Sequence, residues 1–290
     1  MSIPFDARCM ECHLRRNCAT AEKLGTPEQT TAFAKDLLRL YLSAPEDVAS
    51  PWLSPATTEL FRKHYGLPED RFREEKEESN RFVLERIPQI RQRVEAAADP
   101  LFAALQFAIL GNYIDFSALQ GQVSFEKLEK LLDEASQIQL DEGNYAALCR
   151  DLQKGNKLLY LTDNAGEIGF DRIFAEEIHK NYPQLEITFC VRGGPAMNDA
   201  TAEDAALVGI PFPVIGNGNR VPGTQIDQLS EEAKTALETA DVIIAKGQGN
   251  TETMYGCGYN VYYAFLIKCV RFEEVFAKPK FTPMLVRDPK

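Results

Sequence analysis

The sequence predicts an α/β protein in which an N-terminal all-helical subdomain precedes a parallel, doubly wound, Rossmann-like sheet. Two observations predict the sheet. From Lys157 onward, short apolar runs alternate with stretches of helical periodicity, the pattern of strand–helix–strand crossovers. The runs Leu158–Leu161, Ile187–Val191 and Val242–Ala245 lack a clean apolar–polar alternation, as strands buried on both faces do. A third observation predicts the helical part: ahead of Lys157 the apolar residues recur at three- and four-residue spacing. The division falls at residues 1–150 and 151–290, two parts expected to pack as one unit.

In chain order, Phe33, Leu37, Leu40 and Tyr41 form the first amphipathic stripe. Pro45, Pro51 and Pro55 then break the chain into a loop holding the single tryptophan, Trp52. A charge-rich stretch from Glu69 to Glu78 leads into Phe82, Ile87, Ile90 and Val94, a helical pattern that runs through Pro88. Pro100 to Phe116 reads as an apolar helix containing a polar knot, Gly111-Asn112-Tyr113-Ile114-Asp115, and Phe125 to Ser136 reads as another amphipathic helix. Past the first strand, Phe170, Ile173, Phe174 and Ile178 mark a helix that stops before Pro183. Ala200 to Val208 reads as a helix ended by Gly209, Pro213–Ile215 as a short strand, and Gly216 to Gly223 as a glycine-rich loop. Glu231 to Thr239 is a helix, and Val261–Ile267 and Met284–Val286 are two further strands.

With 44% apolar and 26% charged residues, the chain has the composition of a soluble globular protein. No apolar stretch approaches the roughly 20 residues that span a bilayer. The start, Met1 to Asp6, lacks the basic and apolar regions of a signal peptide, so a cytoplasmic location is expected. A net charge of −11, with no block of Lys or Arg, argues against nucleic-acid and anionic-membrane partners. An anionic substrate would have to be held by a bound cation and by particular basic side chains.

Chemistry gathers where the three runs end. The first enters Asp163-Asn164-Ala165-Gly166-Glu167, the second Arg192-Gly193-Gly194-Pro195-Ala196-Met197-Asn198-Asp199, and the third Lys246-Gly247-Gln248-Gly249-Asn250. In open α/β sheets ligands bind outside the carboxyl ends of the strands, so adjacent parallel strands would pool these loops at one edge. Each loop also has a plainer reading. Asp163, Asn164 and Asn198 precede helices and fit N-caps, and Glu167 fits half of a capping box. Lys246 fits a solvated lysine at a strand end. Taken together, Asp163, Asn164 and Asp199 offer only hard oxygen ligands, which suit Mg²⁺ or Mn²⁺ better than zinc. Arg192 and Lys246 add positive charge, and the amides near Gly166 add anion-binding dipoles. Hydrolysis of a phosphate monoester needs that mixture.

The same residues carry a resemblance. D-N-A-G-E, R-G-G-P-x-x-N-D and K-G-Q-G-N-x-E (ending at Glu252) are similar to motifs of the metal-dependent damage-control phosphatases. That family was formerly a domain-of-unknown-function group and is also called acidic-residue methyltransferase-like. Lys76-Glu77-Glu78-Ser79-Asn80-Arg81 and Ala108–Phe116 resemble two further family segments in the helical half. The resemblance thus covers nearly the whole chain, and the N-terminal cysteines point to the prokaryote-type branch. It implies Asp163, Asn164 and Asp199 as ligands of a divalent metal, with Mn or Mg first and Co or Ni also suitable. It implies Glu167, Asn198 and Lys246 around the phosphate and nucleophile, with Asn112 and Asp115 reaching in from the helical half. The implied substrates are sugar phosphates and related small phosphorylated metabolites.

Two routes to hydrolysis stay open at this point. Water activated at the cation could attack phosphorus, with Asp115 or Glu167 as base, or Asp163 could form an aspartyl phosphate. The second route usually has another acid two residues on, where this chain has Ala165, so water is favoured. Two rival functions also remain: an S-adenosylmethionine-dependent carboxyl methyltransferase, and a non-catalytic phosphometabolite-binding protein.

Seven cysteines are present. Cys149, Cys190, Cys257 and Cys269 lie in or beside apolar segments and read as buried thiols. Cys9, Cys12 and Cys18 have C-x2-C-x5-C spacing and could hold zinc or an iron–sulphur cluster, with a fourth ligand from His13, Cys149 or elsewhere.

Overall fold

The computed structural model describes residues 2–115 and 123–289, so Phe116, the last residue of one family segment, lies outside the described residues. Seven helices of the N-terminal half are described: α1 (Ala7–Glu22), α2 (Pro27–Ser43), α3 (Ser54–Tyr65), α4 (Arg73–Glu95), α5 (Pro100–Gly111), α6 (Phe125–Asp133) and α7 (Glu142–Lys154). Local chemistry sets their starts. Asp6 accepts the amides of Arg8 and Cys9, Thr26 and Gln29 form a capping box with Pro27 in the first turn, and Asp99 caps α5. The α2 stripe, Phe33, Leu37 and Tyr41, packs with Phe5, Ala21, Leu53 and Phe61 into a small core. Pro88 sits inside α4.

Then come β1 (Lys157–Leu161), α8 (Glu167–Asn181), β2 (Glu186–Val191), α9 (Ala202–Leu207), β3 (Val214–Gly216), α10 (Glu231–Thr239), β4 (Val242–Lys246), α11 (Gly247–Met254), β5 (Val261–Leu266), α12 (Val270–Phe276) and β6 (Pro283–Arg287). The sheet order is β3-β2-β1-β4-β5-β6. All pairs are parallel except β5–β6, so the expected parallel sheet carries an antiparallel edge strand. Burial on both faces explains the unbroken apolar runs. Leu158, Tyr160, Ile244 and Tyr262 face a core built with α4, α5 and α8, whereas Leu159, Leu161, Ile243 and Tyr263 face Leu237, Met254 and Phe272. The strand order reverses between β1 and β4, which makes their carboxyl ends a topological switch point.

The helical half joins this sheet through apolar packing. Val83, Ile109 and Leu110 share one core with Leu158 and Phe170, and a Cβ at Gly111 would come 2.6 Å from Phe170 Cδ2. On the other face Ile3 enters the second core while its amide donates to Glu252 O at 2.8 Å. No helix among the described residues is long and apolar enough to cross a membrane.

Several expectations need correction. The helix through Pro100 ends at Gly111, so Asn112 to Asp115 form a turn leaving the helix, not a bend within it. Lys246–Asn250 is no loose turn: Gly247 starts α11 directly from β4. Of the four cysteines read as buried, only Cys190 is fully so; Cys149, Cys257 and Cys269 are half-buried.

Cys9, Cys12 and Cys18 all lie on α1. At about 100° per residue Cys18 points nearly opposite to Cys9, so one ion cannot collect all three sulphurs. His13 hydrogen-bonds through Nδ1 to Tyr41 Oη at 2.7 Å. Burial, aided by the charges of Arg16 and Arg71, pushes the His13 imidazole down to about 4. The unfolded chain therefore takes up this proton first, and the stabilising contribution declines as pH falls from about 6.5 towards 4. Urea unfolding at a series of pH values should show a shallower acid decline for His13→Gln than for the natural chain; equal slopes would remove His13 as a cause.

Candidate active site

Plain helix capping is not what occupies the strand-end polar residues. The N-cap of α8 is Gly166, without a side-chain cap, and α9 is capped by Thr201 in a box with Asp204. Asp163, Asn164, Asn198 and Asp199 are left to bind one another. Asn164 and Asp199 pair in an isolated antiparallel bridge, and the Ala200 amide donates to Asp163 O at 2.7 Å. Asn164 Nδ2 donates to Asp163 Oδ2 and to Glu167 Oε2, both at 2.7 Å, and Asn198 Nδ2 donates to Asn164 Oδ1 at 2.8 Å. The one capping element that survives is Glu167 Oε2, which accepts the Asn164 amide at 3.3 Å.

Asn112 arrives from the end of α5. Its Nδ2 donates to Asp163 Oδ2 at 2.9 Å and to both Glu167 oxygens, and its Oδ1 accepts the Leu266 amide at 3.0 Å. One amide thereby ties α5, β1, α8 and β5 together. Asp115 receives Lys268 Nζ at 2.7 Å and is the most exposed carboxylate of the cluster, at 9%.

Arg192 bridges two of the candidate ligands. Its Nε donates to Asp199 Oδ2 at 2.6 Å, and Nη1 donates to Gly223 O and to Asn250 Oδ1. Its Nη2 is buried 3.8 Å from Asp163 Oδ1, with no hydrogen-bond partner. Gly247 has a practical role here. Its φ of +79° is a left-handed value, and a Cβ would overlap the Asp163 carboxylate, so only glycine lets β4 pass this close.

Lys246 and Gly166 sit differently from the sequence expectation. Lys246 is fully buried and gives its three protons to Ala108 O at 2.8 Å, Glu167 Oε1 at 2.7 Å and Asp171 Oδ1 at 2.6 Å. No donor is left over for a phosphate; the lysine holds Glu167 in place. The Gly166 amide is likewise spent, donating to Asn80 Oδ1 at 2.7 Å, while Ser79 packs on its α-carbon side. Glu167 accepts from Lys246, Asn112 and Asn164 and is fully buried, so its lone pairs are engaged.

Sequence reasoning missed Asp171 and Lys268. Asp171 lies one helical turn after Glu167, the spacing that lets one lysine reach both. Lys268 follows the β5 run, so the strand-end rule applied to β1, β2 and β4 would have found it.

Electrostatics tests whether a divalent cation fits. Asp115, Asp163, Glu167, Asp171 and Asp199 are five buried carboxylates set against three buried cations, Arg192, Lys246 and Lys268. The surplus equals the charge of one divalent ion. Burial, then Asp199 and Glu167, hold Asp163 well above the usual carboxylate range. Burial also outweighs Arg192 and pushes Asp199 up to about 6. Carboxylates that resist ionisation for want of positive charge are those a cation would relieve. Two acids and one amide, Asp163, Asp199 and Asn164, supply oxygen donors side by side, and Mg²⁺ or Mn²⁺ suits such a set.

Fold and site together define an α/β protein with an acidic, oxygen-lined site at the switch point of a doubly wound sheet. Residues 5–279 match the family described as the damage-control phosphatase ARMT1-like domain, and the chain belongs to that family. It is 31% identical over 282 residues to the uncharacterized protein MJ0202 of Methanocaldococcus jannaschii, covering 92% of this chain and 90% of that one. It is 35% identical over 202 residues to a damage-control phosphatase of Archaeoglobus fulgidus, covering 68% of this chain and 69% of that one. A crystal structure of a DUF89 family protein (PH1575) from Pyrococcus horikoshii superposes with a TM-score of 0.81 at 27% identity, over 99% of both chains.

Removing the Lys246 charge should strand two buried carboxylates. Lys246→Met is expected to lower unfolding free energy by about 3–5 kcal/mol in urea melts. A loss under 1 kcal/mol would show that Glu167 and Asp171 do not depend on it.

Proposed function

We propose that the chain is a divalent-metal-dependent phosphatase that hydrolyses phosphate monoesters of small metabolites such as sugar phosphates. The observation that supports this most is the surplus of buried carboxylate charge beside an unpartnered arginine nitrogen, at the carboxyl ends of β1, β2 and β4. The names of the relatives from Archaeoglobus fulgidus and Pyrococcus horikoshii, both damage-control phosphatases, support the same reading.

Asp163, Asn164 and Asp199 would hold the cation, with Mn²⁺ or Mg²⁺ first and Co²⁺ or Ni²⁺ as alternatives. When bound, it would polarise a phosphoryl oxygen and make water more acidic. Arg192 Nη2, the nitrogen of that guanidinium left without a hydrogen bond, donates to an equatorial phosphoryl oxygen. Asp115 takes the proton of the attacking water at a carboxylate oxygen, because Glu167 has its lone pairs committed while Asp115 stands nearest to solvent. Lys268 steadies that carboxylate. Lys246 works at one remove, fixing Glu167 and through it the amides of Asn112 and Asn164. Asn198 holds Asn164 Oδ1 in register with the loop.

A panel of phosphate esters assayed with and without each metal after chelation is the direct test. Phosphate release should appear only with added metal. Asp199→Ala should lose metal binding with the fold retained, and Asp115→Asn should lower kcat about 100-fold or more with metal still bound. No label should remain on the protein after rapid quench with labelled ester; a trapped phosphoenzyme would make Asp163 the nucleophile. Binding of S-adenosylmethionine without any phosphate release would overturn the proposal.

A further inference from the structure

Arg16 and Arg71 are set apart from the other arginines. Among the described residues, four arginines have no carboxylate within 4.0 Å. Two of them, Arg81 and Arg150, are exposed and need no partner. The other two, Arg16 on α1 and Arg71 just before α4, are half-buried. They are also near each other: the charge of Arg16 weighs on Arg71, and both weigh on His13. Two half-buried guanidinium groups close enough to act on each other repel and forfeit hydration. In a chain of net charge −11 acids for pairing are plentiful, so this pair was left open against the local electrostatics.

Arg71 is held ready. Its guanidinium lies over the rings of Phe61 and Phe72, 4.6 and 4.9 Å from their centroids, and its Nε is buried without a hydrogen-bond partner. Its Nη2 reaches Met197 Sδ at 3.7 Å, a weak acceptor. Met197 belongs to the active-site loop, immediately before Asn198 and Asp199, and has a φ of +54°, a left-handed value that non-glycine residues rarely adopt. Through Met197, Arg71 touches the loop that carries Asp199 two residues further on. Among the acids, the charge of Glu252 interacts with Arg16 and that of Glu75 with Arg71. Burial pushes Glu252 up to about 8, so at neutral pH its proton leaves Arg16 uncancelled.

We propose that Arg16 and Arg71 form a second anion subsite at the rim of the active site, taking a further phosphate or carboxylate of a substrate whose phosphate ester lies at Asp163 and Asp199. The guanidinium fork suits either group. The substrate class narrows from phosphate monoesters in general to small metabolites with a second anionic end. This inference rests on the phosphatase reading for the identity of the first group.

Three esters test it with the metal-loaded protein: fructose 6-phosphate, fructose 1,6-bisphosphate and 6-phosphogluconate. The bisphosphate, the phosphosugar acid or both should exceed the monophosphate in kcat/KM by about tenfold or more. Which one gains identifies the second anion. Arg71→Met and Arg16→Met should each bring that ratio towards unity, and Arg71→Lys should keep part of it. Arg16→Met, away from the aromatic stack, covers the case in which Arg71→Met fails to fold. Calorimetry with the three ligands on Asp115→Asn reports the same preference with turnover slowed. Equal kcat/KM for all three esters, or a preference that survives both methionine substitutions, overturns the subsite and leaves the phosphatase reading intact. An arginine-dependent binding preference with no ester hydrolysed by the natural chain keeps the subsite and removes the phosphatase reading.

Discussion

A fully buried ammonium group governs the architecture around the site. Lys246 has no water to fall back on, so each of its three protons must meet an oxygen. The oxygens come from α5 and from two successive turns of α8. β4 must therefore finish under the place where those helices cross, and this meeting fixes the height of Glu167. From Glu167 the constraint passes outward through Asn112 and Asn164 to Asp163, and through Asn198 to the second loop. Tyr160 Oη donates to Asp171 from below at 2.9 Å, anchoring the chain of bonds in the middle of the sheet. A network of this kind specifies one arrangement because any shift leaves a buried polar group unpaired.

Stability and chemistry pull against each other at the rim of that network. At its base every proton of Lys246 meets an acceptor, although one ammonium faces two carboxylates. At its top the pairing is looser: Asp163 and Asp199 share Arg192, whose Nη2 makes no hydrogen bond. Such an arrangement penalises folding and would be relieved by a bound cation. Asn80 contributes from a distance: it joins the Gly166 amide to Asp204 and so clamps α4 onto the loop that carries the acids.

Much of this could be read from the chain before any coordinates. The runs ending at Leu161, Val191 and Ala245 gave three adjacent strands, because burial on both faces leaves an unmistakable composition. Their loops converge for the same topological reason. What the sequence hid was direction. A lysine leaving a strand can turn outward to solvent or inward to carboxylates, and the acceptors that α5 and α8 bring together decide that Lys246 turns inward. The Gly166 amide looked available because its acceptor, Asn80, lies 86 residues earlier. The cysteine spacing suggested a metal knot, yet Asp6 starts a helix there, and helical rotation sends Cys18 to the far side. Lys268 lies two residues past β5 with no glycine-rich loop to mark it, and only the fold brings its Nζ to Asp115.

The distances along the chain that Lys246 must bridge bear on how the molecule is made. Its acceptors lie 75 to 138 residues upstream, so a growing polypeptide exposes Glu167 and Asp171 long before the lysine has been synthesised. During that interval the N-terminal helices and the first strands hold two carboxylates that cannot both be dehydrated. Ribosome-bound intermediates must keep α8 partly hydrated and its crossing with α5 unsealed. Closure of the crevice thus waits for β4, and the centre that would do the chemistry is among the last parts of the chain to set.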